Sequence, residues 1–226
     1  MAKVKTQFVC QNCGYISPRY LGRCPNCNEW NTLVEETITP KNSTMATQSL
    51  RRNGIHDNKP EAINKVEFHK DVRFKTDMEE LNRVLGGGVV PGSLILIGGD
   101  PGIGKSTLML QVSGQLSKSG TILYVSGEES ASQIKMRADR LGVNSDNLYV
   151  YPETDMDVIK DTINDMKPDA VVIDSVQTMQ IPELQSATGS VAQIREVTAD
   201  LMNIAKGQGI TVFVVGHVTK LSLIHI

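Results

Sequence analysis

Short apolar segments alternate with longer amphipathic segments from about Val66 onward. The apolar segments are typical of strands, and they are LILIG (94–98), TILYVS (121–126), AVVIDS (170–175) and ITVFVVG (210–216). Three stretches between them have helical spacing, and each reaches a glycine near its end: 106–120 with Gly120, 130–142 with Gly142, and 189–209 with Gly207. Such alternation predicts an α/β fold with a mainly parallel sheet covered on both faces.

A short helix is predicted ahead of the first of these strands. The sequence TDME at positions 76–79 has the spacing of a capping box, in which Thr76 and Glu79 would close the first turn. The glycine run at 86–88 would end this helix.

The chain before this region has a different composition. Residues 35–65 are polar and show no sustained period of 2 or 3.6, which predicts a linker. We therefore expect four parts: a cysteine-containing module at 1–33, a linker at 34–65, an incomplete α/β core at 66–220, and a tail at 221–226.

Charge and hydropathy narrow the classes of function. The formal net charge is −2, so any surface that binds nucleic acid would have to be local. The N-terminal sequence MAKVKTQFVC lacks the apolar stretch of a secretory signal, and no run approaches the roughly 20 apolar residues that span a bilayer. We expect a cytoplasmic protein that does not associate with membranes.

All four cysteines lie within the first 27 residues, as two C-x-x-C pairs: Cys10 with Cys13, and Cys24 with Cys27. Each pair can direct two sulfurs at one ion from a tight turn, and two pairs supply the four ligands of a structural zinc site. A redox C-x-x-C would need a single pair near a βαβ unit. The spacing therefore predicts a small four-cysteine zinc ribbon.

A phosphate-binding loop is predicted at 99–106, where GDPGIGKS matches G-x-x-x-x-G-K-[ST] between a strand and a helix. Its glycines let backbone N–H groups turn toward phosphates at the start of the helix. Lys105 would contact the β and γ phosphates, and the Ser106 hydroxyl would bind Mg²⁺. ATP is favoured over GTP because no N-K-x-D follows. The predicted nucleotide-binding residues in this loop are Gly99, Asp100, Pro101, Gly102, Ile103, Gly104, Lys105, Ser106 and Thr107.

Three further residues stand at the carboxyl ends of predicted strands. Asp174 ends AVVID and is expected to hold Mg²⁺, although a strand-terminal Asp can also cap a helix. Glu128 follows TILYVS and is predicted to orient the attacking water, in preference to its neighbour Glu129. His217 ends the last strand, where it could sense the γ-phosphate or be only a polar terminus.

Taken together, these residues resemble the RadA (Sms) family of RecA-like bacterial DNA-repair ATPases. The matching text is CQNCGYISPRYLGRCPNCNEWNT, LNRVLGGGVVPGSLILIGGDPGIGKSTLMLQ, YVSGEES, VVIDSVQTM, GSVAQIRE and VVGHVTK. The combination is specific, whereas a phosphate-binding loop alone is widespread. By position, the resemblance makes Lys105 and Ser106 the phosphate-loop pair, Asp174 the Walker B acid, Glu128 the catalytic glutamate and His217 the switch residue.

The resemblance also implies what the family does. It implies an ATPase that binds single-stranded DNA, acts on branched DNA with recombination proteins, forms hexameric rings and drives branch migration. The ribbon would be an accessory domain. The segment 182–196, expected to be flexible at its start and to carry Arg195, would occupy the place of a DNA-binding loop, although a surface connection fits equally well.

The end of the sequence departs from the family pattern. Family members continue past GHVTK into a second DNA loop and a C-terminal domain, so motor activity of this polypeptide is in question. LSLIHI at 221–226 is interpreted as a non-native tail, because its apolar residues would follow a core strand uncovered; a terminal strand is the alternative.

Two other functions remain open from the sequence. An ATP-switched module that binds DNA or a partner would use the same nucleotide site. A KaiC-like regulatory ATPase would share LGGG, the phosphate loop and EES, but it would not explain the cysteines.

Overall fold

The computed structural model describes residues 5–38, 73–184 and 186–217, together with the isolated residues 62 and 64. Most of the predicted linker and all of the predicted tail at 221–226 therefore lie outside the described residues.

A three-stranded antiparallel sheet forms the cysteine-containing module. Its strands are β1 (Lys5–Cys10), β2 (Ile16–Ser17) and β3 (Leu33–Ile38), in the order β2-β1-β3. Val9, Cys10, Cys24 and Leu33 are buried in it. Because β3 continues to Ile38, the ribbon extends past the boundary predicted at residue 33.

A five-stranded sheet forms the centre of the larger domain. All four strand pairings are parallel, and the strand order is β4-β8-β7-β5-β6. The strands are β4 (Leu94–Gly99), β5 (Ile122–Ser126), β6 (Leu148–Tyr151), β7 (Ala170–Asp174) and β8 (Thr211–His217). The predicted α/β fold with a parallel sheet and an N-terminal ribbon is confirmed.

Helices cover both faces of this sheet, which explains why β5 and β7 are buried at every position. The helices are α1 (Glu79–Val84), α2 (Lys105–Leu116), α3 (Ala131–Arg140), α4 (Met156–Met166) and α5 (Val191–Gln208). In β5, Leu123 and Val125 pack with α4 and α5, whereas Ile122 and Tyr124 pack with α2 and α3. Among the described helices, none is both long enough and apolar enough to cross a bilayer.

Helix ends differ from the prediction in three places. The helix α1 begins at Glu79 after the cap residue Met78, which makes no side-chain cap bond; Thr76 instead lies 3.1 Å from Asn82 through its hydroxyl. Thus no capping box forms. The helix α2 ends at Leu116, well before Gly120.

The helix α5 continues through Gly207 and ends at Gly209, whose φ of 71° is left-handed. Gly207 therefore lies inside the helix, and Gly209 is the left-handed residue that ends it. Gly142 does follow the end of α3 with a φ of 68°, as predicted.

The segment predicted to be flexible, at the start of 182–196, is held by one buried side chain. Gln193 of α5 accepts a hydrogen bond from the Ile181 backbone N–H at 2.9 Å and donates to the carbonyls of Ile181 and Ser186 at 3.2 Å. Arg195 lies one turn into α5 and is exposed. The described residues of this segment, 182–184 and 186–196, therefore form a turn held by Gln193 and the start of α5.

Candidate functional site

The turn between β4 and α2 forms a cradle of backbone groups. Gly102 and Gly104 have φ values of 80° and 96°, a region that favours glycine, and Gly104 is the residue before α2 begins. A Cβ at Gly99 would lie 2.4 Å from Ile103 Cδ1, so the exposed Ile103 side chain would have to shift. Asp100 and Pro101 complete this turn, and Thr107 lies in the first turn of α2.

Lys105 is the first residue of α2 and is 7% exposed. Its ammonium donates to the carbonyl oxygens of Gly99 and Asp100, both at 2.8 Å, and lies 3.2 Å from His217 Nδ1. The side chain therefore turns back over the cradle, where it places a positive charge beside two backbone carbonyl oxygens.

Ser106 and Asp174 meet across the edge of the sheet. The Ser106 hydroxyl donates to Asp174 Oδ1 at 3.1 Å, and the Tyr124 hydroxyl donates to Asp174 Oδ2 at 2.6 Å. Asp174 is 5% exposed, so these bonds hold a carboxylate that is largely removed from water. Burial, with the adjacent charge of Asp174, raises the pKa of Tyr124 and keeps it a donor.

Glu128 follows β5 and lies beside the end of β8. Its Oε1 accepts a hydrogen bond from the Ser175 hydroxyl at 2.6 Å and lies 3.3 Å from His217 Nε2. The bond from Ser175, and then that from His217, lowers the pKa of Glu128 although partial burial opposes this. Glu128 therefore remains a carboxylate at neutral pH.

Glu129 points to a different partner. Its carboxylate pairs with the Arg137 guanidinium of α3, and both side chains are mostly buried. The two neighbours are thus distinguished by geometry: Glu128 contacts Ser175 and His217, and Glu129 is tied to a helix.

The four cysteines form a second, separate cluster. Their Sγ atoms all lie within 4.8 Å of one another, and the Cys10–Cys27 and Cys13–Cys24 distances are both 3.6 Å. Four sulfurs around one Zn²⁺ at about 2.3 Å are separated by about 3.8 Å in a regular tetrahedron. The observed spacing fits a tetrahedral zinc ion.

Two matched turns present these sulfurs. Gly14 N–H bonds the Cys10 carbonyl at 2.8 Å, and Asn28 N–H bonds the Cys24 carbonyl at 2.9 Å. Gly14 and Asn28 have φ values of 73° and 61°. Asn28 thus occupies in the second turn the place that Gly14 occupies in the first, a conformation that Asn tolerates.

Hydrogen bonding favours the thiolate form of Cys10, one of the predicted zinc ligands. Burial works against ionisation of Cys10, but hydrogen bonds from the Thr32 side chain and from the backbone of Cys13 and Asn12 lower its pKa to about 6. Burial raises the pKa of Cys13 to about 11. Since zinc binds thiolates, the positive charge of the ion would favour ionisation of Cys13.

Comparison with protein families matches both parts of the chain. The AAA domain model matches residues 58–222, and the rubredoxin metal binding domain model matches residues 8–35. The chain belongs to the AAA domain family. Its ribbon is similar to a rubredoxin-type metal-binding domain, in agreement with the zinc geometry.

Curated relatives of this AAA protein carry the name DNA repair protein RadA. One from Streptococcus pyogenes serotype M1 is 56% identical over 220 residues, covering 97% of this chain and 48% of the relative. Those from Bacillus subtilis and Listeria monocytogenes are each 55% identical with the same coverage. The chain spans about half the length of these relatives. The resemblance inferred from the sequence motifs is confirmed.

The AAA domain brings the predicted site residues to one edge of its sheet. At the carboxyl ends of β4, β5, β7 and β8, His217 contacts both Lys105 and Glu128, and Ser106 contacts Asp174. Their assigned roles remain predictions.

Two residues of this network were not predicted. Ser175 follows Asp174 and is fully buried, and the peptide bond between them is cis. Tyr124 has the sequence appearance of an ordinary strand residue. A signal was available for Ser175, because it is a polar residue directly after the strand-terminal acid, whereas none marks Tyr124.

Proposed function

We propose that this AAA domain hydrolyses ATP as part of a DNA-dependent ATPase of recombinational DNA repair. The observation that supports it best is the convergence of Lys105, Ser106, Asp174 and Glu128 on the glycine cradle. A cation, a pair of metal-binding oxygens and a carboxylate base are the groups that phosphoryl transfer to water requires.

Each residue has a defined part in this proposal. The cradle and Lys105 bind the β and γ phosphates, which replace the Gly99 and Asp100 carbonyls as partners of the ammonium. Ser106 and Asp174 hold Mg²⁺. The ion neutralises charge on the phosphates when bound. Glu128, kept ionised by Ser175 and His217, accepts the proton of the attacking water.

The DNA-related part of the proposal rests on the relatives named DNA repair protein RadA. We infer binding of single-stranded and branched DNA, branch migration with recombination proteins, and a homo-hexamer for the full-length protein. The segment 182–196 is the proposed DNA contact in the core, since Arg195 is exposed on α5, just after the turn that Gln193 holds.

A second candidate is an ATP-switched binding module. It is favoured by the position of His217, which lies 3.2 Å from Lys105 Nζ and 3.3 Å from Glu128 Oε1. A γ-phosphate that attracted Lys105 would break its contact with His217 at the end of β8. A KaiC-like regulator is less favoured because it leaves the ribbon without a purpose.

Phosphate release measured with and without single-stranded DNA separates these functions. If the protein is a DNA-dependent ATPase, we expect DNA to accelerate ATP turnover. Lys105→Ala should abolish turnover, because the variant loses a charge that stabilises the transition state by several kcal/mol. ATP-dependent DNA binding without accelerated turnover would favour the switch. Turnover unchanged in Lys105→Ala would contradict the assignment of the cradle.

A further inference from the structure

The ribbon carries a strongly exposed tryptophan. Trp30 is 67% exposed, and it is the only tryptophan in the chain. Burial of a large aromatic ring stabilises a fold, and an exposed indole does not contribute this free energy. Exposed aromatic rings are enriched where proteins bind other molecules. The ribbon's own core, which contains Cys10, Cys24 and Leu33, does not use it.

An arginine lies over the ring of Trp30. Arg23 and Trp30 are paired in an isolated antiparallel bridge, and the Arg23 guanidinium carbon is 5.7 Å from the ring centroid. Arg23 Nε also donates to the Asn28 carbonyl at 2.9 Å. The cation is therefore held in place by two contacts, and most of the indole surface stays accessible.

A second exposed aromatic ring is hydrogen-bonded to the residue that follows Trp30 in the chain. Tyr20 is 52% exposed, and its hydroxyl donates to Asn31 Oδ1 at 3.2 Å, next to Trp30 in the chain. Its ring meets Phe8 edge-on at 5.9 Å. We call Tyr20, Arg23, Trp30 and Asn31 the aromatic face of the ribbon. Because these contacts hold the rings in place before a ligand binds, binding loses little side-chain conformational entropy.

Charge adds a preference for an anionic ligand. Neither Arg19 nor Arg23 forms an ion pair with any carboxylate that belongs to the described part of the chain. The two arginines lie within five residues of sequence, 19–23, that also contain Tyr20. Two arginines alone attract phosphates weakly, so the rings would supply most of the binding energy.

We infer that the aromatic face binds single-stranded nucleic acid by stacking unpaired bases on Trp30 and Tyr20, with the arginines contacting phosphates. Every base has a π-face, so this recognition tolerates any sequence, and duplex bases are already stacked on one another. The inference rests on the proposed function insofar as that function brings single-stranded DNA to the protein. It assigns the ribbon a ligand that a purely structural zinc module would not have.

Intrinsic fluorescence tests this directly, because Trp30 is the only source of tryptophan emission. The zinc-loaded full chain is titrated with oligothymidylate and, in parallel, with an abasic sugar–phosphate strand of equal length. We expect saturable quenching by oligothymidylate and little by the abasic strand, since only bases stack on the indole.

Variants give a second readout by anisotropy of a labelled oligothymidylate. We expect Trp30→Ala to weaken binding about tenfold and Trp30→Phe to retain most of it. The matched control is Tyr149→Ala, which removes a 49% exposed aromatic ring from β6 of the core and should leave affinity unchanged. Zinc content of each variant verifies that the ribbon is folded.

The failures of the two proposals are distinguishable. If wild-type protein binds the oligonucleotide but Trp30 is not quenched and Trp30→Ala binds equally well, the inference is wrong while DNA binding by the core stands; the aromatic face would then suit a protein partner. Equal quenching by the abasic strand would also overturn stacking. Absence of any binding by wild-type protein would contradict both proposals.

Discussion

At the scale of single residues, the two adjacent glutamates at the end of β5 are expected to behave differently. Glu128→Gln should keep ATP binding and reduce hydrolysis by about 10²–10⁴-fold, because an amide fits the site without accepting a proton. Glu129→Gln should keep most activity, since it weakens only the pair with Arg137. Phosphate release and nucleotide affinity are measured for both variants. If only Glu129→Gln stopped hydrolysis, Glu129 rather than Glu128 would be the residue that accepts the proton.

The hydrogen bond from Ser175 to Glu128 predicts a change in pH dependence. This bond is the largest cause that lowers the pKa of Glu128, so Ser175→Ala should raise that pKa. Hydrolysis that needs the carboxylate is lost as pH falls through its pKa. The acid limb of the pH–rate profile should therefore move to higher pH in the variant.

A control separates this effect from a loss of stability. Ser130→Ala removes the side chain that caps α3, which costs about 1 kcal/mol of folding free energy, but it does not contact the Glu128 carboxylate. It should leave the acid limb in place. An unmoved limb in Ser175→Ala would mean that Ser175 only supports the fold.

Sequence motifs predict those site residues whose chemistry depends on local spacing. Lys105 and Ser106 belong to one continuous loop, and Asp174 and Glu128 follow recognisable strands. Tyr124 could not be predicted, because its role depends on Asp174, which is 50 positions away in sequence and lies on the neighbouring strand β7. Long-range pairings of this kind require the strand order, which a single sequence does not provide.

At the scale of elements, Gln193 is expected to govern the order of the turn before α5. Gln193→Leu should destabilise the protein by about 1–3 kcal/mol, because it removes the hydrogen-bond partner of the Ile181 N–H and of the Ser186 carbonyl. Urea denaturation gives this value, and limited proteolysis should show new cleavage between residues 181 and 190.

The matched control lies on the same helix. Gln208→Leu removes one exposed hydrogen bond to Asn164 and should change stability by no more than about 0.5 kcal/mol. Equal stability changes in the two variants would show that Gln193 does not fasten the turn.

The elements that sequence analysis missed differ in how much signal they carry. Met156, Ile159 and Ile163 of α4 have helical spacing and follow Asp155, which caps the helix, so α4 could have been predicted. The strand β6 has four residues and lies at the sheet edge with Tyr149 half exposed. A short edge strand lacks the continuous apolar run by which the central strands are recognised.

At the scale of the whole molecule, two differently stabilised units share one chain. The large domain has apolar clusters on both faces of its sheet, whereas the ribbon buries little besides cysteines. A core as small as that of the ribbon needs a metal to fold. Loss of zinc should therefore affect the two units unequally.

The expected result is one zinc ion per chain, which a chelator or Cys24→Ser removes. Trp30 emission should then change as the ribbon unfolds. The thermal unfolding of the large domain, followed by far-UV circular dichroism, should stay the same because, within the described residues, its five strands pair only with one another. Asn12→Ser, which alters an exposed residue that is not a ligand, should keep the metal. Metal analysis showing no zinc with the thiols paired as disulfides would refute the site, and a large domain that melts with the ribbon would show that the two units fold as one.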